Sequence, residues 1–247
     1  MKIGWEAQMV TTNTHMQNPR IVAFARGDVN GDRVPDNVYI MGVPEPNAAL
    51  IRQLTLIIQD GATGYTYRIP LKEDVGYDPL LFLGDFTGDG VSDIFITINS
   101  GGSGGITFDY VYSFVSNNLR LLFDSDVINE QYQYAVTYLD HYKVEVISNH
   151  NKTKYRIDIS LRGPDYLNEI YGPNGKLKMP ISGWVDPISG LYPIDFDGNG
   201  VYELYAFQKV AGRYHADGLG YIQNTLKWNG HQFALEDQTL AIYGSPL

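Results

Sequence analysis

The chain has 247 residues and no cysteine, which excludes a disulfide framework, a thiolate metal site and a cysteine nucleophile. It also lacks a run of about 18 apolar residues, so no transmembrane helix is expected. Its start, Met1 to Glu6, has no apolar signal core. We therefore predict no membrane insertion. The protein either stays inside a cell or spore, or is an extracellular or surface protein whose signal is absent from this chain.

Positive charge is scarce as well. The chain has 18 Lys and Arg against 28 Asp and Glu, a net charge of −10, and such a chain repels nucleic acid and anionic membrane surfaces. Tyrosine, by contrast, is abundant at 19 residues, and 26 glycines and 12 prolines supply many turns. Because tyrosine favours strands, the composition predicts a β-rich protein. The negative charge predicts that it has no nucleic-acid partner.

Three segments share a nine-residue pattern with oxygen-bearing side chains at positions 1, 3, 5 and 9, glycine at position 4 and valine at position 7. Loop one is Asp-Val-Asn-Gly-Asp-Arg-Val-Pro-Asp (28–36), loop two is Asp-Phe-Thr-Gly-Asp-Gly-Val-Ser-Asp (85–93), and loop three is Asp-Phe-Asp-Gly-Asn-Gly-Val-Tyr-Glu (195–203). Loops one and two begin 57 residues apart, and loops two and three begin 110 apart, which is twice 55. A repeat of this period is typical of propellers and solenoids.

Each loop lies between two apolar strands and is followed by a hairpin, which makes four strands per unit, as in a propeller blade. A degenerate copy is expected near residue 140, where 134–146 predicts two strands and a tight turn without the loop. Residues 165–178 predict a short helical insertion. The predicted fold is all-β and β-propeller-like, with more than about 40% strand and under about 10% helix.

The predicted domain organisation is an N-terminal arm over residues 1–18 and a single domain over 19–247. About four four-stranded units are expected in that domain, over 19–75, 76–130, 131–183 and 184–247. Closure of the ring is left open, because the chain has room for only four or five such units.

The loop pattern suits calcium, which takes about six to eight oxygen ligands in a flexible shell. Side chains at positions 1, 3 and 5 of a tight turn point inward together, position 7 offers its backbone carbonyl, and a carboxylate at position 9 closes the shell. Nitrogen and sulfur ligands are missing, which argues against zinc or copper. We predict up to three calcium ions, held by Asp28, Asn30, Asp32, Val34 and Asp36; by Asp85, Thr87, Asp89, Val91 and Asp93; and by Asp195, Asp197, Asn199, Val201 and Glu203.

The three loops hold nine carboxylates, which account for nine of the ten excess negative charges. Three carboxylates within one turn repel each other unless a cation lies among them. The pattern is not an EF-hand, because position 12 carries no glutamate and the flanking segments are strand-like. The alternative is that the loops are Asp- and Gly-rich turns with no metal.

The segment Gly-Asp-Phe-Thr-Gly-Asp-Gly-Val-Ser-Asp-Ile-Phe (84–95), together with the spacing of the other two loops, resembles the FG-GAP/VCBS repeat family. That family includes the calcium-bearing blades of the integrin α-chain propeller and many bacterial surface proteins. The resemblance implies structural calcium sites at the blade edge. Arg33 at position 6, Asn199 at position 5 and Glu203 at position 9 depart from the family's usual pattern.

We expect a non-enzymatic, calcium-binding structural or adhesive protein of a bacterial cell or spore surface, with a protein or glycan as its partner. Two alternatives stay open: a carbohydrate-binding module that uses exposed Tyr and Trp, and a hydrolase with an unrecognised site. An aromatic row in a groove would favour the former, and a buried carboxylate pair outside the loops would favour the latter. The segment Gly-Gly-Ser-Gly-Gly (101–105) matches a nucleophile elbow in letters only, because a strand-like segment rather than a helix follows it.

Overall fold

A computed structural model describes residues 18–244. The protein is all-β, with 54% strand and 7% helix, so the predicted all-β class and both predicted proportions are confirmed. Except for residue 18, the predicted N-terminal arm lies outside the described residues. Within the described range, no helix has the length and apolar character needed to cross a membrane.

Two four-stranded antiparallel sheets form the first half of the chain. Sheet one contains β1 (Arg20–Gly27), β2 (Asp36–Pro44), β3 (Ile51–Gln59) and β4 (Thr66–Pro70). Sheet two contains β5 (Tyr77–Gly84), β6 (Asp93–Asn99), β7 (Thr107–Ser113) and β8 (Arg120–Asp124), and helix α1 (Ser125–Gln131) follows it. In both sheets each strand pairs with the next along the chain, as the repeated unit predicts.

Sheet three contains the remaining seven strands, in the order β11-β10-β9-β12-β13-β14-β15. Their bounds are β9 (Tyr134–Leu139), β10 (Lys143–Ser148), β11 (Thr153–Asp158), β12 (Ser182–Ile194), β13 (Glu203–Ala211), β14 (Gly218–Trp228) and β15 (Phe233–Ala241). Helix α2 (Pro164–Ile170) lies between β11 and β12, which confirms the predicted helical insertion. The two strands and tight turn predicted near residue 140 are β9 and β10.

The expectation of four separate four-stranded blades is wrong for the second half of the chain, and these sheets do not show a propeller. The third unit supplies only three strands, so one side of β9 is left without a partner from its own unit. Strand β12 fills that place: Ser182 and Gly183 pair with β9, and the ladder to β13 begins at Trp184. One 13-residue strand therefore joins the last two units into a single sheet.

Sheet three curls until its two edge strands meet. The hydroxyl of Tyr155 on β11 donates to the backbone oxygen of Gln238 on β15 at 3.0 Å. Because edge strands carry unpaired backbone groups that can attract other chains, this contact leaves the sheet nearly closed and covers part of both edges.

Sheet two is the middle layer of the molecule. Its residues Ile94, Ile96 and Ile98 belong to the apolar core shared with sheet one. The alternate residue Phe95 belongs to the core shared with sheet three. A strand buried on both faces reads as a nearly continuous apolar run, and β6, Asp-Ile-Phe-Ile-Thr-Ile-Asn, has that composition. A third core lies within sheet three itself.

A polar network lies on the β13, β14 and β15 side of the curled sheet. The hydroxyl of Tyr134 donates to Oε1 of Gln208 at 3.2 Å and accepts from the amide nitrogens of Gln238 at 3.0 Å and Asn224 at 3.4 Å. Gln208 and Asn224 are buried. Buried amides are costly without partners, so the Tyr134 hydroxyl satisfies groups on three strands at once.

Replacing Tyr134 with Phe should lower the free energy of unfolding by about 1–3 kcal/mol, because three amides lose a partner in the interior. The matched control is Tyr65→Phe, since Tyr65 is exposed and its hydroxyl makes no hydrogen bond within residues 18–244; its effect should stay within about 0.5 kcal/mol. Urea unfolding followed by circular dichroism measures both. Equal stabilities for the two variants would show that the network contributes nothing.

Candidate metal centre

The three loops occupy equivalent places in the fold. Each connects the strand that leads into the repeated unit to the next strand: β1 to β2, β5 to β6, and β12 to β13. The flanking segments are strands in all three cases. The prediction that the loops share one position in the repeat is therefore confirmed.

The aspartate at position 1 organises each loop by accepting hydrogen bonds from the backbone. Asp28 accepts from the N–H groups of Gly31 (2.7 Å) and Arg33 (2.8 Å), at positions 4 and 6. Asp85 accepts from the same two positions at 2.6 and 2.8 Å. Asp195 accepts from positions 5 and 6 at 3.1 and 2.9 Å. These N–H groups, that of position 6 first, hold the pKa of Asp195 below its usual range.

The side chain at position 5 is arranged in the same way in all three loops. Its oxygen accepts from the N–H of position 7, at 2.7 Å for Asp32, 2.9 Å for Asp89 and 2.7 Å for Asn199. In Asp89 this bond leaves the second carboxylate oxygen for another partner. In loop one, Oδ2 of Asp32 accepts from the Asn30 amide at 3.5 Å, and in loop three the amide of Asn199 donates to Asp197 at 2.9 Å. The loops therefore have one common geometry, although their sequences differ at several positions.

The acid at position 9 is buried in every loop, as Asp36, Asp93 and Glu203. Each accepts from the N–H of position 2, at 3.0, 3.0 and 3.4 Å respectively. Burial raises the pKa of Asp93 to about 6, and the charges of Asp89 and Asp85 act in the same direction. Within residues 18–244, no lysine or arginine forms an ion pair with an acid of loop two, so no described cation neutralises the charge of this loop.

Loop three differs, because a lysine from the neighbouring hairpin reaches its closing acid. Lys227 Nζ lies 2.9 Å from Glu203 Oε1 and 3.8 Å from Glu236. The hydrogen bond to Glu203 raises the pKa of Lys227. Lys227 therefore already neutralises part of the negative charge that a metal would neutralise in this loop.

Loop two differs from the other two loops in the hydrogen bonding of its side chain at position 3. Asn30 and Asp197 accept from the N–H of position 5 at 3.0 and 3.2 Å. Thr87 Oγ1 is buried and has no hydrogen-bond partner within residues 18–244. Because buried polar atoms normally have partners, this oxygen is an orphan at a predicted ligand position.

Glycine at position 4 is favoured by its backbone conformation, and in loop one also by close packing. Gly31 and Gly88 have φ of +86° and +76°, in the left-handed region that favours glycine. A Cβ on Gly31 would also lie 3.1 Å from Val91 Cγ2, and one on Gly88 would lie 3.7 Å from Val201 Cγ2. The valine at position 7 of one loop thus packs on the glycine at position 4 of the preceding loop.

The loops are joined by two equivalent hydrogen bonds. The N–H of Ser92, at position 8 of loop two, donates to the backbone oxygen of Asp28, at position 1 of loop one, at 3.3 Å. The N–H of Tyr202, at position 8 of loop three, donates to the backbone oxygen of Asp85 at 2.8 Å. The loops therefore stack in register, and the stack links all three sheets.

Two residues beside loop one were not predicted as part of any site. The amide of Asn30 lies 3.4 Å from Asp60 Oδ2 and 3.3 Å from Asn117 Oδ1. Asp60 and Asn117 lie in the turns of two hairpins, β3–β4 and β7–β8. The turn at Asp60-Gly61 is visible in the sequence, but no spacing connects it to loop one. Only the packing of the sheets brings these side chains together.

The fifteen predicted ligand positions thus fall into three separate loops as expected. Within residues 18–244, however, no three acidic or histidine side chains converge as a ready metal cluster. The position-1 aspartates accept hydrogen bonds from the N–H groups of their own loops. The oxygens that could bind a metal are therefore spread around each turn and do not point at one common centre. The donor set, which is all oxygen, fits a calcium ion in chemistry.

The alternatives named from the sequence have their own structural features. The buried acids outside the loops are Asp60, Asp109, Asp186 and Asp217, and within residues 18–244 no two of them share a hydrogen bond. An aromatic row crosses the outer face of sheet three through Tyr192, Phe207, Tyr221 and Tyr243, with ring centroids 5.6–6.4 Å apart. Neighbouring rings stand edge to face, at 72–87°, so they pack on each other rather than form one flat platform.

Comparison with known proteins identifies the relatives. The family model described as the YybI C-terminal domain matches residues 132–241. The chain is also 49% identical over 227 residues to the protein YybI of Bacillus subtilis (strain 168), over 92% of this chain and 87% of that protein. The chain belongs to the YybI family. No solved structure matches.

Membership of the YybI family corrects one expectation. The resemblance to the FG-GAP/VCBS repeat family is wrong, because the matching family model and the relative both belong to a different family. The nine-residue pattern is short, and its Asp and Gly residues are also the ordinary residues of tight turns. The YybI C-terminal domain match begins just before β9 and ends at the last residue of β15, so it covers sheet three.

Replacing Arg33 with Gly should stabilise the protein by about 1 kcal/mol, because Arg33 has φ of +68° where loops two and three have glycine. The matched control is Arg33→Ala, which removes the same side chain but keeps the strained backbone. Thermal unfolding of both variants measures the difference. A glycine variant no more stable than the alanine variant would contradict the strain argument.

Proposed function

We propose that the protein is a non-enzymatic structural protein whose three loops bind calcium and thereby hold its three sheets together. The observation that carries this proposal is the pair of equivalent hydrogen bonds between successive loops. Each loop belongs to a different sheet, so a cation that rigidifies one loop acts on the junction between two sheets. Calcium would serve as a clamp for the fold.

Charge supports a cation at these loops. Nine carboxylates lie in three adjoining turns, and the raised pKa of Asp93 reflects burial together with repulsion from Asp85 and Asp89. A divalent cation would offset that repulsion. Thr87 Oγ1, which is buried without a partner, would gain one as a ligand.

The proposal ranks the loops. Loop two has the buried acid with the raised pKa and the unpartnered Thr87 oxygen, so we expect it to bind calcium most tightly. Loop one has a non-glycine residue at the strained position 6 and the additional acid Asp60 beside Asn30. Loop three has Lys227 on its closing acid, and we expect the weakest site there because the lysine competes with the metal.

The proposed setting is the surface of a bacterial cell or spore, where a calcium-clamped scaffold would hold a protein or glycan partner. The source of the relative, Bacillus subtilis, agrees with the bacterial part of this setting.

Chelation should lower the melting temperature by more than about 10 °C, and calcium should restore it better than magnesium. One site at free calcium of about 100 times its dissociation constant adds roughly 2.7 kcal/mol, so three sites add about 8 kcal/mol as an upper value. Magnesium requires a smaller, octahedral shell and loses water reluctantly. The measurement is a thermal melt in chelator, calcium and magnesium at matched ionic strength. Three superimposable curves would mean that the loops are plain turns.

Asp89→Ala should remove most of the stabilisation that calcium gives through loop two, about 2.7 kcal/mol at the same saturation. In chelator the variant should lie within about 1 kcal/mol of the parent, because the lost hydrogen bond to position 7 is offset by relief of repulsion on Asp93. Asp237→Ala is the control, since Asp237 is an exposed acid on β15, away from the loops. An equal loss for Asp89→Ala with and without calcium would show that Asp89 has only a structural role.

A further inference from the structure

A cavity of about 500 Å³ opens beside loop two. Thr87 and Asp89 form one wall, Asn118 and Arg120 from the β7–β8 hairpin form a second, and Trp228 at the end of β14 forms a third. Small-molecule sites in proteins are concave and commonly about 300–1,000 Å³. We call this feature the Trp228 cavity; three separate segments of the chain build it.

The polar groups of the Trp228 cavity have few partners. Within residues 18–244, the exposed guanidinium of Arg120 makes no ion pair and the exposed side chain of Asn118 makes no hydrogen bond. Both side chains line the cavity and are exposed, so a ligand in the cavity can replace their water.

Trp228 provides the apolar wall. Its ring packs against Phe233 with centroids 5.5 Å apart at 63°, which anchors the indole to the core between sheets two and three. A held indole keeps its orientation without a further loss of side-chain entropy on binding. Aromatic rings combine a large apolar face with a polar edge, and such rings beside polar groups suit ligands that are apolar on one side and polar on the other.

The lining excludes several ligand classes. A purely apolar ligand would displace water from Arg120 and Asn118 without giving them new hydrogen-bond partners. An anionic ligand would be repelled by Asp89, and a cationic ligand would be repelled by Arg120. What remains is a neutral molecule with many hydrogen-bonding groups and one apolar face, which describes a sugar ring.

We propose that the Trp228 cavity binds a neutral saccharide, with one sugar ring against the Trp228 indole. Sugar hydroxyls accept from Arg120 and Asn118 and donate to Asp89. The calcium part of this inference rests on the proposed function, because Thr87 and Asp89 belong to loop two as well. Calcium in loop two would hold that wall of the cavity in place.

The test is a titration of the calcium-loaded full chain with two neutral probes, cellotetraose and tetra-N-acetylchitotetraose, and one anionic probe, tetragalacturonate. Binding is followed by calorimetry and by tryptophan fluorescence. We expect at least one neutral probe to bind and to change the fluorescence, and Trp228→Phe to abolish that change. No binding of either neutral probe, or stronger binding of tetragalacturonate than of both, would overturn the proposal.

The pocket variants are Arg120→Gln and Asn118→Ala, and each should weaken binding about tenfold, the effect of losing one well-placed hydrogen bond. Arg68→Gln is the matched control, because Arg68 is an exposed arginine on β4, the strand of sheet one equivalent to β8. It should leave the affinity unchanged. Arg120→Gln and Asn118→Ala binding as tightly as the parent would place the sugar elsewhere and overturn the proposal.

The chelator arm separates this inference from the calcium clamp. Saccharide binding that weakens in chelator supports both proposals. Undiminished binding in chelator that is still weakened in Arg120→Gln supports the saccharide site and contradicts the metal's part in shaping it. Normal stabilisation by calcium with no saccharide binding leaves the clamp intact and overturns the Trp228 cavity alone.

Discussion

The hydrogen bonds that join one loop to the next connect the three sheets at their loop ends. Each runs from the N–H of position 8 to the backbone oxygen of position 1 in the preceding loop, so the position-1 aspartate serves two purposes. Its carboxylate accepts hydrogen bonds from the N–H groups of its own turn. In loops one and two its backbone carbonyl also accepts a hydrogen bond from the next loop, which belongs to the neighbouring sheet. This arrangement also brings nine acidic side chains close together, which makes the junction sensitive to charge.

The apolar cores take advantage of the same stacking. Sheet two has apolar residues on both faces because it lies between sheet one and sheet three. Valine at position 7 extends the packing into the loops, where it contacts glycine at position 4 of the preceding loop. The apolar cores and the acidic loops are therefore adjacent at the junction of the sheets. A change in the charge of the loops is expected to alter the packing between the sheets.

Sheet three contains the one unit that has a tight turn instead of an acidic loop. The third unit turns from β9 to β10 through His141 and Tyr142, both at left-handed φ, in place of a nine-residue loop. It has no fourth strand, and the edge that remains pairs with the start of β12. The sheet then curls until Tyr155 meets Gln238, and polar side chains inside it are satisfied by Tyr134.

The sequence by itself determined the strands, the hairpins, the helical insertion and the equivalent places of the three loops, because these features depend on residues near one another in the chain. Alternation, glycine at positive φ and Asx-type turns are local effects. Tertiary structure alone decided that two units share seven strands, since free strand edges pair with whatever lies beside them. It also decided that Asp60 and Asn117 approach Asn30, that Lys227 reaches Glu203, and that Trp228 faces loop two. Those contacts join residues 24 to 141 positions apart, and only the packing of sheets can bring such residues together.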